Sequence, residues 1–173
     1  GRPVTLDLAR EVGLFFERTA NPKALQPQAL ETLQELQRRS LRLGIISNAQ
    51  FYTLPELSEL ICGERGGKPR ERELPFEPEL VFLSCDLGVA KPDLTAFRRC
   101  PEILGRGGTR ASECVFVGDS LESDILPALA VGMRAVLYAP QGAPAAVAGA
   151  TVQDAMSAGA VVIKELRGLL DVT

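Results

Sequence analysis

VFVGDSLESD, residues 115–124, is the stretch from which the fold class of this chain can be predicted. Its apolar beginning predicts a buried strand, and a helical pattern over residues 125–131 follows the turn. In a parallel sheet such a turn lies at the carboxyl edge, where α/β proteins bind ligands. Gly118 allows a close approach of the backbone, and Asp119 and Asp124 carry the hard oxygen donors that Mg²⁺ prefers. Taken alone, the stretch also fits an ordinary strand-to-helix turn capped by Asp or Ser.

Two further polar turns lie upstream of this stretch. In IISN, residues 45–48, an apolar strand ends in Ser47 and Asn48, where a hydroxyl and the following backbone N–H can hold a phosphate oxygen. In GVAKPD, residues 88–93, Lys91 precedes a proline that can open a helix, which would fix its ammonium near the same edge of the sheet. Each turn is a weak signal in isolation, because capped turns and solvated lysines are common.

Together and in this order, the three stretches resemble motifs two, three and four of the haloacid dehalogenase (HAD) superfamily. The neighbouring sequences are also similar: FEPELVFLSCDLGVAKPD resembles the third strand and the approach to the lysine, and DILPALAVGMRAVLY the helix and strand after the acidic motif. The resemblance covers residues 25–170. It implies an α/β fold, namely a HAD-type Rossmann-like three-layer sandwich with a parallel sheet.

The resemblance also implies a chemistry and a role for each motif residue. Asp119 and Asp124 are the implied ligands of a Mg²⁺ cofactor. Ser47, Asn48 and Lys91 are the implied substrate-binding residues, and Lys91 and Ser47 also count as catalytic. The implied activity is hydrolysis of a small phosphorylated substrate, a phosphate monoester, since phosphoryl transfer depends mainly on positioning and charge stabilisation.

The first motif of the family, a strand that ends in Asp-x-Asp-x-Thr, is missing. Its two carboxylates are the nucleophile and the general acid/base. The nearest string is VTLDLA, residues 4–9, where Ala9 stands in the place of the second aspartate. In the family this strand is central, between the strands that carry motifs two and four. Its loss would leave the sheet without its middle strand, which predicts either an upstream segment in the natural protein or a surrogate strand at residues 3–8.

Two interpretations of this gap stay open. The apolar positions of residues 6–18 have helical spacing. The segment then resembles the last helix of a helical cap, the insert between motifs one and two in many family members, which makes residues 1–26 the remnant of the cap and residues 27–173 a HAD-like core. The chain would then be an inactive fragment that lacks its first strand, its nucleophile and most of the cap. Alternatively, Asp7 is a degenerate first motif and the cap is absent. The chain is then a non-catalytic HAD-like binding domain, a pseudoenzyme, or else an enzyme of altered chemistry with Asp7 as its nucleophile. A haloacid dehalogenase is a third, less favoured interpretation.

Composition narrows the classes of function and partner. The 173 residues have the length of one domain and a net charge of −3, so there is no basic footprint for nucleic acid. The absence of histidine excludes Ser-His-Asp catalysis and His-ligated zinc within this sequence. No signal-peptide pattern or long apolar run is present, which predicts no membrane partner and a cytoplasmic location. Cys85 and Cys114 lie in apolar runs and are expected to be buried thiols.

Overall fold

The computed structural model describes residues 5–62, 74–140 and 152–173. It divides into two compact units: Gly1–Gln26 with Tyr52–Leu74, and Pro27–Phe51 with Pro75–Thr173. The sequence-based division instead assigns residues 27–173 to one core. The identity of the first unit as a cap remnant stays a prediction.

Short helices alternate with short strands along the described residues. The helices are α1 (Leu6–Ala20), α2 (Ala29–Arg38), α3 (Thr53–Cys62), α4 (Ser84–Leu87), α5 (Thr95–Gly105), α6 (Leu126–Ala130) and α7 (Val152–Ser157). The strands are β1 (Ile45–Ser47), β2 (Val81–Leu83), β3 (Val115–Gly118), β4 (Arg134–Tyr138) and β5 (Val161–Ile163). Three 3₁₀ turns lie at Pro78–Leu80, Ala111–Glu113 and Leu166–Asp171, and a π-helical turn at Leu121–Ile125. None of the described helices has the length and apolar character to cross a bilayer.

In the first unit, the described residues of the predicted surrogate strand, 5–8, belong to the start of α1 and not to a strand. Thr5 caps α1 by accepting a hydrogen bond from the Leu8 N–H at 3.2 Å, and Asn21 ends the helix. Asp7 is an exposed residue of the first helical turn. The interpretation of Asp7 as a nucleophile at a strand end is therefore wrong, because the helical spacing of the apolar residues prevails over the short alternation before it. Residues 3 and 4 of the proposed strand lie outside the described residues.

Ion pairs join α1 and its C-terminal extension to α3 within this unit. The Lys23 ammonium lies 2.9 Å from a Glu17 oxygen and 2.6 Å from a Glu56 oxygen, and Arg18 lies 2.6 Å from Glu59. Glu56 is buried, so Lys23 offsets a charge that would otherwise be costly to remove from water.

The strands of the second unit form two separate parallel sheets. In the first, β1 pairs with β2, with Ile45 opposite Val81 and Ser47 opposite Leu83. In the second, the strand order is β3-β4-β5. Among the strands that the structure describes, β1 and β3 each have one partner and lie at the end of their sheet. The parallel α/β class is confirmed, and the strands that carry motifs two and four, β1 and β3, lie in different sheets.

The hydrophobic core packs between these strands and the helices beside them. Phe97 of α5, Leu80 before β2 and Ile125 before α6 are almost completely buried. The Phe97 ring meets the Phe116 ring of β3 edge to face, with 5.0 Å between the centroids. This packing supports β3 directly beneath the turn that carries the two aspartates.

Cys85 differs from the expectation that Cys85 and Cys114 are both buried. Cys114 is buried, as expected, but Cys85 is exposed. The apolar run before Cys85 ends with β2 at Leu83, and Cys85 is the second residue of α4 rather than a strand residue. Short apolar runs alone do not distinguish the end of a strand from the start of the next helix.

Candidate active site

The turn after β1 is joined to the lysine of the GVAKPD stretch by the side chain of Asn48. Its Nδ2 donates to the Lys91 carbonyl oxygen at 3.1 Å, and its Oδ1 accepts from the Lys91 N–H at 2.6 Å. The Asn48 amide thus pairs with both main-chain groups of Lys91. The side chain therefore positions the lysine, and only the backbone of Asn48 is left for the predicted phosphate contact.

Lys91 in turn reaches the acidic turn after β3. Its Nζ donates to Asp124 Oδ1 at 2.5 Å, and it lies 5.7 Å from the centroid of the Phe116 ring. The lysine side chain is 17% exposed and the aspartate side chain 4% exposed. A carboxylate this far from water requires a compensating charge or hydrogen bonds, and the ammonium supplies both.

The second oxygen of Asp124 is also engaged. Its Oδ2 accepts hydrogen bonds from the backbone N–H groups of Asp119, at 3.2 Å, and Ser120, at 3.1 Å. The Asp124 carboxylate therefore stabilises the turn after β3 through two backbone N–H groups and orients the Lys91 side chain. This places Asp119 and Lys91 at the same edge, on opposite sides of one carboxylate.

Gly118 is the residue that makes room for this arrangement. A Cβ atom built at Gly118 would lie 2.4 Å from the Cβ, Cγ and Oδ2 atoms of Asp124. The chain then enters the π-helical turn, where the Ser120 hydroxyl accepts from the Ser123 N–H at 3.1 Å. Single π-helical turns are frequent at functional sites. Here the turn brings Asp124 back beneath the end of β3.

The end of β2 adds a residue that the sequence motifs do not include. Ser84 Oγ accepts from the Ala49 N–H at 3.0 Å and donates to the Ala49 carbonyl oxygen at 3.1 Å. Ser84 also lines a small pocket with Ser47, Asn48 and Lys91. A signal for it existed in the sequence, since a polar residue follows the apolar VFL run as it does at the other two strand ends.

The donors for the implied Mg²⁺ are only partly provided by the described residues. Asp119 is exposed and offers a hard carboxylate oxygen, whereas both oxygens of Asp124 already accept hydrogen bonds. Within the described residues there is no cluster of three carboxylate, thiol or imidazole side chains that could hold a metal. Asp119 fits a Mg²⁺ ion that takes its other ligands from water, a substrate phosphate and a further carboxylate, as this ion commonly does.

The structure thus places all the candidate residues at one end of the two sheets. Asn48, Lys91 and Asp124 form a continuous hydrogen-bonded chain, Ser47 lines the pocket beside it, and Asp119 is bound through its backbone to Asp124. Their roles in catalysis, in substrate binding and as metal ligands stay predictions.

Comparisons with known proteins find relatives in the family that the motifs resemble. A family model described as haloacid dehalogenase-like hydrolase matches residues 3–132. A ribulose-1,5-bisphosphate 5-phosphatase of Halopiger xanaduensis is 40% identical over 117 residues, which are 68% of this chain and 43% of that protein. A phosphoserine phosphatase of Thermus thermophilus is 32% identical over 129 residues, 74% of this chain and 46% of that protein.

A solved structure shows the same fold. The HAD phosphatase from Thermococcus onnurineus superposes with a TM-score of 0.65 at 24% identity, over 96% of this chain and 66% of that chain. The chain spans less than half the length of the two curated relatives above.

Proposed function

Because the chain belongs to the haloacid dehalogenase-like hydrolase family, we propose that it is the core of a Mg²⁺-dependent phosphatase for small phosphate monoesters. The nucleophile of this phosphatase lies on a strand that ends in Asp-x-Asp-x-Thr, a motif that the sequence of the 173 residues does not contain. The observation that carries the proposal is the chain of hydrogen bonds from Asn48 through Lys91 to Asp124. It joins the turn after β1 to the turn after β3, and each of these strands lies at an end of its sheet.

A strand between β1 and β3 would make one sheet of the two. Unpaired backbone groups that become buried cost about 1–3 kcal/mol each, so the edges of β1 and β3 that pair with no described strand are suitable places for a further parallel strand. Such a strand would end beside Lys91, in line with the ends of its neighbours. A carboxylate there would face the ammonium and Asp119.

The residues of this chain then have distinct tasks. The Ser47 hydroxyl and the Asn48 N–H bind phosphate oxygens, while the Lys91 ammonium offsets the negative charge of the nucleophile and the phosphoryl group. Asp119, with the nucleophile, would hold Mg²⁺, which supplies positive charge to the phosphoryl oxygens when bound. Asp124 keeps Lys91 in place. Phosphoryl transfer gains most from such positioned charges and donors.

A non-catalytic phosphate-binding domain is the second candidate. The specific observation that favours it is the lack of an Asp-x-Asp-x-Thr sequence in the 173 residues. Both candidates require the same phosphate-binding turn, so hydrolysis, not binding, distinguishes them.

The distinguishing experiment compares this chain with the extended protein, defined as the chain joined to its natural upstream sequence through the first Asp-x-Asp-x-Thr motif. We expect the 173 residues alone to leave p-nitrophenyl phosphate unhydrolysed in the presence of Mg²⁺, and the extended protein to hydrolyse it. Removal of members of a catalytic unit costs orders of magnitude in rate. The same two proteins are also assayed with a 2-haloacid substrate, which tests the third interpretation, a haloacid dehalogenase.

Asp7→Asn is the matched control in both proteins. Since Asp7 is exposed on α1, we expect no change of rate. Turnover by the 173 residues that disappears in Asp7→Asn would contradict the proposal. An upstream sequence with no such motif, or an extended protein that binds phosphate without hydrolysing it, would favour the binding domain.

A further inference from the structure

A serine hydroxyl at the end of β2 holds the main chain of the turn that follows β1. Ser84 Oγ bonds to both the N–H and the carbonyl oxygen of Ala49, at 3.0 and 3.1 Å. Ala49 is buried, 6% exposed. Ser47 and Leu83 form the last residue pair of the sheet. Ser84 follows this pair, and its bonds to Ala49 continue the connection between the two chain segments beyond the end of the strands.

A purely local role for this hydroxyl is not supported by its contacts. Ser84 is the first residue of α4, and the N-cap of that helix, Leu83, makes no side-chain capping bond. Both Ser84 side-chain bonds go to a residue 35 positions earlier in the chain. The hydroxyl therefore connects two strand ends rather than completing its own helix.

We propose that Ser84 is a positioning residue for the phosphate-binding turn, an inference that rests on the proposed function of that turn. The turn is held on two sides: the Asn48 side chain bonds to the main chain of Lys91, and the main chain of Ala49 bonds to Ser84. The Asn48 backbone, the proposed phosphate donor, lies between the two attachments. Donors that are fixed before the ligand arrives bind it with less loss of entropy.

The test uses inorganic phosphate and the 173-residue chain, with binding followed at the Asn48 amide by NMR. We expect Ser84→Ala to weaken phosphate binding by about five- to tenfold, the effect of one or two ordinary hydrogen bonds, and to speed hydrogen exchange of the Ala49 amide. Ser84→Thr, which keeps the hydroxyl, should bind like the parent. The matched control is Ser157→Ala, because Ser157 Oγ also donates to a main-chain oxygen, that of Gln153 at 2.8 Å in α7.

Urea unfolding of each variant separates positioning from stability. The proposal is supported if Ser84→Ala binds phosphate more weakly than the parent while Ser84→Thr and Ser157→Ala bind it like the parent. The variants compared must have similar urea unfolding midpoints. Unchanged phosphate affinity in Ser84→Ala, or equal losses for alanine and threonine, would overturn it while the proposed function stands. A parent chain whose Asn48 amide does not respond to phosphate would overturn the phosphate site itself and the role of Ser84 with it.

Discussion

Lys91→Met in the extended protein is expected to lower kcat/KM for p-nitrophenyl phosphate by about 10²–10³-fold, the usual effect of removing one group that stabilises charge in the transition state. Methionine keeps most of the apolar stem of the lysine and removes its ammonium. The change also leaves Asp124 buried without its partner charge, and breaking such a pair costs about 3–5 kcal/mol of folding free energy. Steady-state kinetics and urea unfolding measure the two effects separately.

A double variant distinguishes lost catalysis from lost stability. Lys91→Met with Asp124→Asn removes both charges of the pair, so we expect it to recover much of the stability but none of the activity. Lys164→Ala, the loss of an exposed lysine that follows β5, is the control and should change neither. Wild-type kcat/KM in the stable double variant would remove Lys91 from the proposed mechanism.

Gly118→Ala is expected to have the second large effect, because the new methyl group would occupy the place of Asp124. Its Cβ would lie 2.4 Å from three atoms of that side chain. Asp124 cannot move without losing its bonds to Lys91 and to the backbone of Asp119 and Ser120. Gly118 itself is held in register opposite Leu137 of β4.

The expected loss of stability is about 1–3 kcal/mol from overpacking. The kcat/KM of the extended protein should fall by at least about tenfold, since a misplacement of about 1 Å can cost up to 10²-fold in rate. Gly105→Ala is the matched control, because a Cβ at this residue in the last turn of α5 meets open space. Urea unfolding and steady-state kinetics of both variants test the prediction. Equal stability and activity of Gly118→Ala and the parent would show that Asp124 is not fixed in the observed position.

The parts of the site that could be predicted are those set by local pattern and topology. Three apolar runs end in polar residues, and parallel strands bring their carboxyl ends to one edge, so IISN and VFVGDSLESD predict neighbouring turns. Helical spacing likewise predicts α1. These signals depend on residues close together in the sequence.

The remaining features depend on contacts between distant residues. The sequence around Asn48 does not show whether its side chain binds phosphate or pairs with the main chain of Lys91, 43 residues later. The sequence marks Ser84 as a polar residue at a strand end, but not its bonds to Ala49, 35 residues earlier. It also does not show that both oxygens of Asp124 accept hydrogen bonds. The grouping of Tyr52–Leu74 with the first unit also follows from tertiary packing, which sequence periodicity does not report.

Hydrogen exchange at the edges of β1 and β3 tests the central claim most directly. The relevant groups are the backbone amides of β1 that do not donate to β2 and those of β3 that do not donate to β4. Their exchange is measured by NMR in the 173-residue chain and in the extended protein. We expect fast exchange in the first and strong protection in the second, because an added strand accepts hydrogen bonds from both edges. Equally fast exchange of these amides in both proteins would contradict the account, since no strand would then lie between β1 and β3.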